Sequence, residues 1–381
     1  RATAAAARYQ SRAARLIPAM PELYIGLMSG TSLDGVDAVL ADLGADRPRL
    51  LGHRHQAFAP ELRHELLALN QAGGDELRRA ALAANELARC YAATVKSLLE
   101  QHRPARQVKA IGCHGQTVRH RPADGYTIQL VNGALLAELT GADVVCDFRS
   151  RDVAAGGEGA PLAPAFHRAA FADANTHRAI VNIGGIANLT DLPVSGATIG
   201  FDCGPGNILL DAWAQRHLSQ PFDRAGAWGR SGRVIPALLA RLSAHEFFRR
   251  APPKSAGRED FNLDWLMREL GGGAEPADVQ ATLLALTAGG IADAIGKFLA
   301  DAQQVYLCGG GARNTALEEL LARQLAPRKV ATTDTLGVAA EHVEALAFAW
   351  LARQTLNAQT GNLPAVTGAR GARVLGAIHR A

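Results

Sequence analysis

Polar, glycine-rich turns recur along the sequence, and each follows an apolar stretch that is typical of a strand. They lie at residues 28–35, 112–117, 156–161, 184–188, 202–207 and 308–314. Because glycine has no side chain, such a turn leaves successive backbone N–H groups open as a concave site for an anion. A single turn of this kind is usually only structural. Their repetition in one chain indicates a ligand that carries phosphate.

The first of these turns lies within YIGLMSGTSLDGVDAVLADL (24–43), whose apolar alternation predicts a strand, a turn and a second strand. The turn offers small and hydroxyl-bearing residues to an oxyanion: Ser29, Gly30, Thr31, Ser32 and Gly35. The carboxylates of Asp34 and Asp37 would repel bare phosphate, so we expect a magnesium ion or its water shell beside them. A purely structural role is the alternative for Asp34, because Asp-Gly is a common turn pair in hairpins.

The elements around these turns predict an α/β fold with two related halves. Helical spacing over residues 60–101 precedes alternating strands and helices, and a second glycine hairpin, RAIVNIGGIANLTDLP (178–193), begins a similar series. We expect residues 20–150 to form an N-terminal lobe and residues 151–381 a C-terminal lobe, with the extreme C-terminus packing back on the first lobe. Residues 1–19 are expected to be a disordered leader or tag remnant.

Composition narrows the classes of partner and compartment. The net charge of the 381 residues is only +4 and the basic residues are scattered, which argues against nucleic acid as the main partner. The five cysteines form no CxxC pair, which favours reduced thiols in a cytoplasmic protein. No apolar run approaches the ~20 residues of a membrane span. The stretch RRAPPKSAGRED (249–260) predicts a loop and is a candidate substrate lid.

The motifs do not fit the two commonest phosphate-binding patterns. The sequence has no GxxxxGK[ST], and CGGGARN (308–314) does not match GxGxxG. Two glycine hairpins that face each other across a cleft instead suit the actin, hexokinase and Hsp70 superfamily, in which one hairpin from each lobe grips the phosphates.

A more specific resemblance extends from about Pro21 to the C-terminus. It is carried by motifs that occur in this order: GLMSGTSLDGVD (26–37), HGQTVRH (114–120), DFRSRDVAAGGEGAPLAPAFH (147–167), NIGGIANLT (182–190), GFDCGPGNILLDAW (200–213) and CGGGARN. Together they resemble the anhydro-N-acetylmuramic acid kinase family. The resemblance implies a two-lobe actin-like (ribonuclease-H-like) ATPase fold with a central cleft.

The resemblance also implies a reaction. ATP would phosphorylate 1,6-anhydro-N-acetylmuramic acid while water opens its anhydro ring, and the product would be N-acetylmuramic acid 6-phosphate, a step in recycling cell-wall peptidoglycan. A conventional kinase for a hexose or amino sugar, without ring cleavage, is the first alternative. A metal-dependent hydrolase and a non-catalytic ATP-responsive protein of the same fold are the others.

This reaction needs a base for the water that attacks C1. Asp202, at the mouth of a strand, is our choice, and the resemblance points to the same residue; its alternative is a helix N-cap. Glu344 is the candidate for a second carboxylate that orients water, against a plain surface position on its helix. Asp152 is a rival base, which Arg149 and Arg151 would alternatively hold in an ion pair.

The remaining candidates bind the two substrates. For ATP, with Mg²⁺ as the cofactor ion, they are Gly30, Thr31, Ser32, Leu33, Asp34, Gly35, Val36, Asp37, Gly204, Gly206, Asn207, Gly309, Gly310 and Gly311. For the sugar they are Ser29, His114, Gln129, Asn132, Arg149 and Asp152. A carboxylate on the sugar favours arginine or histidine as its partner. The metal ligands stay open, and the helix over residues 341–356 could pack either in the core or in a homodimer.

Overall fold

The chain forms two mixed sheets in a computed structural model that describes residues 20–30, 33–45, 47–257 and 259–381. Five strands of the first sheet have the same relative order as the five strands of the second. The first sheet has the order β13-β7-β4-β1-β2-β3 and the second has the order β10-β9-β8-β11-β12. In each sheet the first three strands run antiparallel as a meander, and two further strands add in parallel beside the first strand. The first sheet has one more strand, β13, which pairs antiparallel with β7. This repeated topology is that of the actin-like fold, so the predicted α/β fold class is confirmed.

The glycine turns at residues 28–35, 112–117, 184–188 and 308–314 follow strands, as the sequence predicts, whereas the turn at 156–161 follows the helix Ser150–Ala154. The strands of the first sheet are β1 (Leu23–Met28), β2 (Gly35–Asp42), β3 (Arg49–Ala57), β4 (Ala110–Cys113), β7 (Val144–Cys146) and β13 (Ala377–His379). A separate hairpin comprises β5 (Gln116–Arg121) and β6 (Tyr126–Leu130). Those of the second sheet are β8 (Arg178–Ile183), β9 (Ile186–Leu192), β10 (Gly200–Pro205), β11 (Gln304–Cys308) and β12 (Lys329–Thr332).

Helices cover both sheets. They are α1 (Pro60–Ala68), α2 (Glu76–His102), α3 (Gly133–Thr140), α4 (Ser150–Ala154), α5 (Ala163–Phe171), α6 (Ile208–Leu218), α7 (Ala227–Ser231), α8 (Pro236–Ser243), α9 (Leu263–Leu270), α10 (Pro276–Phe298), α11 (Thr315–Gln324), α12 (Val343–Leu356) and α13 (Pro364–Thr367). Short 3-10 helices occupy Pro122–Asp124, Arg224–Gly226, Glu246–Arg249, Gly310–Arg313, Thr333–Leu336 and Ala340–His342. The predicted leader at residues 1–19 lies outside the described residues.

Helix α12 comes late in the chain but packs on the first sheet. It crosses β1 and β4 at a pair of glycines, Gly26 and Gly112, which are neighbours in the parallel register. A Cβ at Gly26 would collide with the carbonyl oxygen of Ala345, and one at Gly112 with that of Phe348. The two glycines therefore form a notch that fixes the depth of α12, and the first turn of that helix carries Glu344.

The two faces of the first sheet belong to different hydrophobic clusters, as the alternation of side chains along a strand requires. Ile25 and Leu27 point towards α2 and α3 in one cluster. Tyr24 points to the other side, into a cluster that continues through α12 to Val181 and Leu307 of the second sheet. The core is thus continuous between the two sheets. The predicted boundary at residues 150 and 151 stays a prediction, although β13 pairs with β7 of the first sheet.

One helix of the described residues, α10, is long and apolar enough to span a membrane by length and composition. Of its most apolar window, 67% is buried inside the protein. Burial of this extent is typical of a core helix.

Candidate active site

The first glycine turn, between β1 and β2, is held by side chains. Ser29 is buried, donates from Oγ to the carbonyl of Gly115 (3.0 Å) and shares a hydrogen bond with the hydroxyl of Tyr91 (2.8 Å). Gln116 donates from Nε2 to the carbonyl of Gly30 (3.1 Å). Because β1 and β4 are adjacent, the turn that follows β4 thus supports the turn that follows β1.

The other predicted residues of this turn differ in exposure. Leu33 is buried with φ of 57°, and its N–H donates to the carbonyl of Gly30 (3.3 Å). Val36 is fully buried in the core of the first sheet. Asp37 accepts a hydrogen bond from Nδ1 of His55 at 3.0 Å or pairs with it as an ion. Thr31 and Ser32 lie outside the described residues.

In the second sheet the glycine turns are joined to each other by backbone hydrogen bonds. The N–H of Gly206 donates to the carbonyl of Gly185 (2.9 Å), and that of Asn207 donates to the carbonyl of Gly184 (2.8 Å). A Cβ at Gly206 would collide with that same Gly184 carbonyl. The two turns that follow β8 and β10 therefore form one unit, which depends on glycine at position 206.

The third predicted segment, Gly309–Gly311, lies against the same unit. A Cβ at Gly309, whose φ is 80°, would collide with Oδ1 of Asn182, and one at Gly311 would collide with the side chain of Ile183. Nδ2 of Asn207 in turn donates to the carbonyl of Ile183 (3.2 Å). The structure thus brings Gly204, Gly206, Asn207 and Gly309–Gly311 together at the end of β8.

Asp202 lies on β10, the edge strand of the second sheet, and the loop after the 3-10 helix at Glu246–Arg249 covers that edge. The N–H of Asp202 donates to the carbonyl of Lys254 (3.1 Å), and the N–H of Ala256 donates to Oδ2 of Asp202 (3.0 Å). Helix α6 begins only at Ile208 and has Asn207 at its N-cap position, so the N-cap alternative for Asp202 is excluded.

Burial raises the pKa of Asp202 to about 6, while the hydrogen bond from Ala256 and the charge of Lys254 oppose that rise. A carboxylate with a pKa in this range is ionised near neutrality and still basic enough to take a proton from water. The ammonium group of Lys254 lies 4.6 Å from the centre of the Phe247 ring, and this cation–π contact holds the lysine in place.

Glu344 lies in the first turn of α12, where the notch of Gly26 and Gly112 brings it to the end of the second sheet. Nδ2 of Asn182, on β8, donates to Oε1 of Glu344 (3.2 Å). Burial raises the pKa of Glu344 and the charge of Asp37 raises it further, while the Asn182 hydrogen bond and the charge of Arg149 lower it. The alternative of a plain solvent-exposed glutamate is excluded, because the residue is partly buried and its carboxylate is hydrogen-bonded to Asn182.

Among the predicted sugar-binding residues, the structure brings His114 and Arg149 together near Glu344. The guanidinium of Arg149 donates from Nη2 to Nε2 of His114 (2.9 Å) and from Nη1 to the carbonyl of Gly159 (2.7 Å). The charge of Glu344 opposes the fall in the pKa of Arg149 that burial causes.

The other predicted sugar-binding residues have partners of their own. Asp152 is fully buried and accepts hydrogen bonds from Gly159 N (2.8 Å), Asn362 Nδ2 (2.6 Å) and Thr367 Oγ1 (2.8 Å). The sequence suggested that Asp152 is a rival base or an ion-pair partner of the flanking arginines. These contacts show neither role. Its carboxylate anchors the chain near α13.

Asn132 and Gln129 also take part in local structure. Asn132 caps α3 by accepting from the N–H of Leu135 (3.0 Å). Gln129 donates from Nε2 to the hydroxyls of Thr117 and Thr127. Its Oε1 is buried and has no hydrogen-bond partner among the described residues.

The structure adds Asp211, a residue that sequence reasoning missed. It lies in the first turn of α6, and its pKa is raised to about 7 by burial and then by the charge of Asp34 from the first hairpin. The signal in the sequence was an acidic residue within the apolar run of ILLDAW (208–213). Asn182 and Lys254 were missed as well, because neither belongs to a residue type or spacing that predicts catalysis.

The site can be compared with known proteins. A family model described as anhydro-N-acetylmuramic acid kinase matches residues 22–381. The chain is similar to proteins named anhydro-N-acetylmuramic acid kinase from Thiobacillus denitrificans (56% identical over 364 residues, 94% of this chain and 98% of the relative) and from Nitrosospira multiformis (56% over 361 residues, 94% and 99%).

Solved structures give more distant matches. One is the activator of 2-hydroxyisocaproyl-CoA dehydratase from Clostridium difficile with bound ADPNP, which is 13% identical with a TM-score of 0.46 and coverage of 86% of this chain and 92% of that chain. Another is a ROK family glucokinase from Streptomyces griseus in complex with glucose and AMPPNP, which is 15% identical with a TM-score of 0.40 and coverage of 87% and 99%.

Proposed function

The chain belongs to the anhydro-N-acetylmuramic acid kinase family, and we propose that the residues between its two sheets phosphorylate O6 of 1,6-anhydro-N-acetylmuramic acid with ATP while water opens the anhydro ring. The product is N-acetylmuramic acid 6-phosphate, in peptidoglycan recycling. The observation that carries the catalytic assignment is Asp202, a carboxylate with a pKa of about 6 at the glycine turns of the second sheet.

We place the ATP phosphates between the glycine turns of the two sheets. The backbone unit at Gly184–Gly185 and Gly206–Asn207 supports this placement, because its glycines allow the backbone to approach an anion closely. The turn at Gly30–Gly35 would contact the same phosphates from the first sheet. Gly309–Gly311, the third segment of the unit, would approach the nucleoside of ATP.

Asp34 and Asp211 fit the requirements of the Mg²⁺ that accompanies ATP. Asp34 lies in the turn after β1 and Asp211 lies on α6, close enough that the charge of Asp34 raises the pKa of Asp211; a divalent cation held by both would relieve that repulsion. The described residues contain no group of three or more His, Cys, Asp or Glu that could hold a metal. Mg²⁺ commonly takes only one or two carboxylates besides phosphate oxygens and water. When bound, it would neutralise charge on the phosphates.

We assign the role of general base to Asp202. It takes a proton from the water whose oxygen bonds to C1 of the sugar. The bond between C1 and O6 then breaks, and O6 keeps the electron pair and bonds to the γ-phosphorus, so that ADP leaves. Glu344 orients the water from the opposite side, with its own carboxylate held by Asn182. Such a transfer relies on position and charge neutralisation rather than on a covalent intermediate with the protein.

The sugar would lie next to the hairpin β5–β6. The unpartnered Oε1 of Gln129 is a suitable acceptor for the N–H of the acetamido group. Arg149 supplies the positive charge that the lactyl carboxylate requires, whereas Ser29 and Asn132 contribute through the local structure that they hold. We further infer a cytoplasmic enzyme, since its second substrate is ATP.

The test is turnover in ¹⁸O-labelled water with purified protein, ATP and either the anhydro-sugar or free N-acetylmuramic acid. We expect ADP release that depends on the anhydro-sugar, with ¹⁸O at C1 of a 6-phosphorylated product. ADP release with the free sugar alone would reduce the enzyme to a conventional sugar kinase. Absence of sugar-stimulated ADP release with both would contradict the proposal.

A further inference from the structure

The contact between Arg149 and His114 constrains the chemical state of the histidine. Both Nε (3.2 Å) and Nη2 (2.9 Å) of Arg149 point at Nε2 of His114, and the guanidinium can only donate. Nε2 must therefore be the unprotonated nitrogen, and the imidazole proton lies on Nδ1. Burial and the neighbouring guanidinium hold the pKa of His114 at about 3, so the ring is neutral throughout the physiological range.

The position of the histidine ring is fixed by helix α12. The centre of the His114 ring lies 4.8 Å from that of Phe348. Phe348 is four residues after Glu344 on the same helix, so the two side chains lie on one face. Phe348 also packs on Phe148, the residue before Arg149 (5.6 Å between ring centres). The same helix face thus positions the imidazole, the guanidinium and the Glu344 carboxylate.

We propose that His114 is a positioning residue of the reaction: its Nε2 lone pair holds the Arg149 guanidinium towards Glu344, and His114 itself does not contact the sugar. This inference rests on the proposed function. Only 5% of His114 is exposed, and its acceptor nitrogen is already used by Arg149, so little of the ring is available to a ligand. A protonated histidine at this position would repel the guanidinium.

The consequence concerns the proton of Glu344. The groups that face Glu344 are Asn182 on β8, Asp37 on β2, Cys308 on β11 and Arg149 before α4. Burial and Asp37 favour the protonated carboxyl, whereas Asn182 and Arg149, among the residues that the structure describes, favour the carboxylate. If Arg149 moves away, one of the two groups that keep Glu344 ionised is lost. The activity that depends on ionised Glu344 would then require a higher pH.

The variant His114→Phe tests this inference, because it keeps a ring against Phe348 and removes the acceptor. We expect kcat to fall roughly 10-fold, and the loss to grow towards acid pH, because protonation of Glu344 then adds to that of Asp202. The KM for ATP should stay unchanged. His114→Gln, whose Oε1 can accept from the guanidinium, should recover most of kcat. His217→Phe is the matched control, since that exposed ring lies on Trp213 (4.0 Å) in α6 and should behave as the wild type.

A double-mutant cycle separates positioning from other roles. Arg149→Met and the double variant with His114→Phe should show the same kcat, because the histidine acts only through the arginine. Additive losses would overturn the inference, and so would an unchanged pH profile in His114→Phe. A wild type that lacks turnover with the anhydro-sugar would instead refute the proposed function.

A spectroscopic readout is independent of turnover. ¹⁵N NMR of the imidazole groups, with His114 assigned by comparison with His114→Phe, should show Nδ1 protonated and Nε2 unprotonated at pH 7. In the Arg149→Met variant the ¹⁵N signal of Nε2 should shift, because that nitrogen loses the hydrogen bonds from the guanidinium. A His114 that is protonated on Nε2, or that titrates between pH 5 and pH 8, would contradict the inference even in an active enzyme.

Discussion

The two sheets share the relative order of five strands but hold their phosphate turns by different means. In the first sheet, side chains of Ser29 and Gln116 fasten the turn to its neighbours. In the second sheet, backbone groups of Gly184, Gly185 and Gly206 are joined directly. In a turn held by side chains, a substitution removes the hydrogen bonds of one side chain and leaves the others. In a turn held by backbone groups, a side chain added at the contact separates the two turns and breaks all the hydrogen bonds between them. The second sheet should therefore be the more sensitive to substitution.

The largest expected effect comes from the base on the second sheet. Asp202→Asn should lower kcat about 1,000-fold, because general-base catalysis typically contributes 100-fold to 10,000-fold. ATP affinity, measured by calorimetry, should be retained. Glu344→Gln should cost less, since it leaves the base in place. A larger loss for Glu344→Gln than for Asp202→Asn would reverse the two assigned roles.

The backbone-joined turn should be the next most sensitive. Gly206→Ala places a Cβ against the Gly184 carbonyl and must separate the turns after β8 and β10. We expect the KM for ATP to rise roughly 100-fold, which corresponds to about 2.7 kcal/mol of binding free energy. Gly296→Ala is the control, because a Cβ there meets nothing within 4 Å on α10. Wild-type kinetics in Gly206→Ala would show that the joined turns do not bind the nucleotide.

The carboxylate that faces the first hairpin from α6 should have a smaller effect. Asp211→Asn removes one of the two charges between which we place Mg²⁺, so the Mg²⁺ concentration for half-maximal activity should rise about 10-fold. Asp293→Asn, on α10, is the control. An unchanged Mg²⁺ titration in Asp211→Asn would remove this residue from the metal site.

On the first sheet, Ser29→Ala should change the KM for ATP only a few-fold. The variant removes the hydrogen bonds to Gly115 and Tyr91, and buried groups left without partners cost about 1–3 kcal/mol, part of which appears as lower thermal stability. Ser231→Ala, an exposed serine on α7, serves as the control. A loss that equals that of Gly206→Ala would contradict the contrast between the two sheets.

The smallest effect concerns pH. With the pKa of Asp202 at about 6, kcat/KM should fall as the pH drops through 6, because the base becomes protonated. Lys254→Met removes a positive charge that lowers this pKa, so the acid limb should move upward by roughly half a unit, or about 0.7 kcal/mol. Activity at pH 8 should be preserved. Lys297→Met is the control, and a downward shift in Lys254→Met would contradict the assignment of the limb to Asp202.

The sequence predicted those parts of the molecule that depend on neighbours along the chain. The hairpins and glycine turns follow from local composition, and the repeated order of elements predicted two related α/β halves. The sequence indicated Asp202 by its position at the mouth of a strand, to which the resemblance also points, and Glu344 as a carboxylate on a helix that could face the cleft. Residues whose role depends on distant contacts were less visible: Asp211 matters because Asp34 faces it, and the carboxylate of Asp152 because Asn362 and Thr367 reach it. No spacing in the sequence encodes such encounters.

The notch of Gly26 and Gly112 has a consequence for biosynthesis. The strands that form the notch leave the ribosome early, but the helix that fills it, Val343–Leu356, and the strand that completes the same sheet, Ala377–His379, are translated much later. A nascent chain that ends before residue 343 would expose one apolar face of its first sheet, including Tyr24. The first sheet is therefore expected to stay incomplete until residues 343–379 have left the ribosome, and this intermediate is a natural client for chaperones.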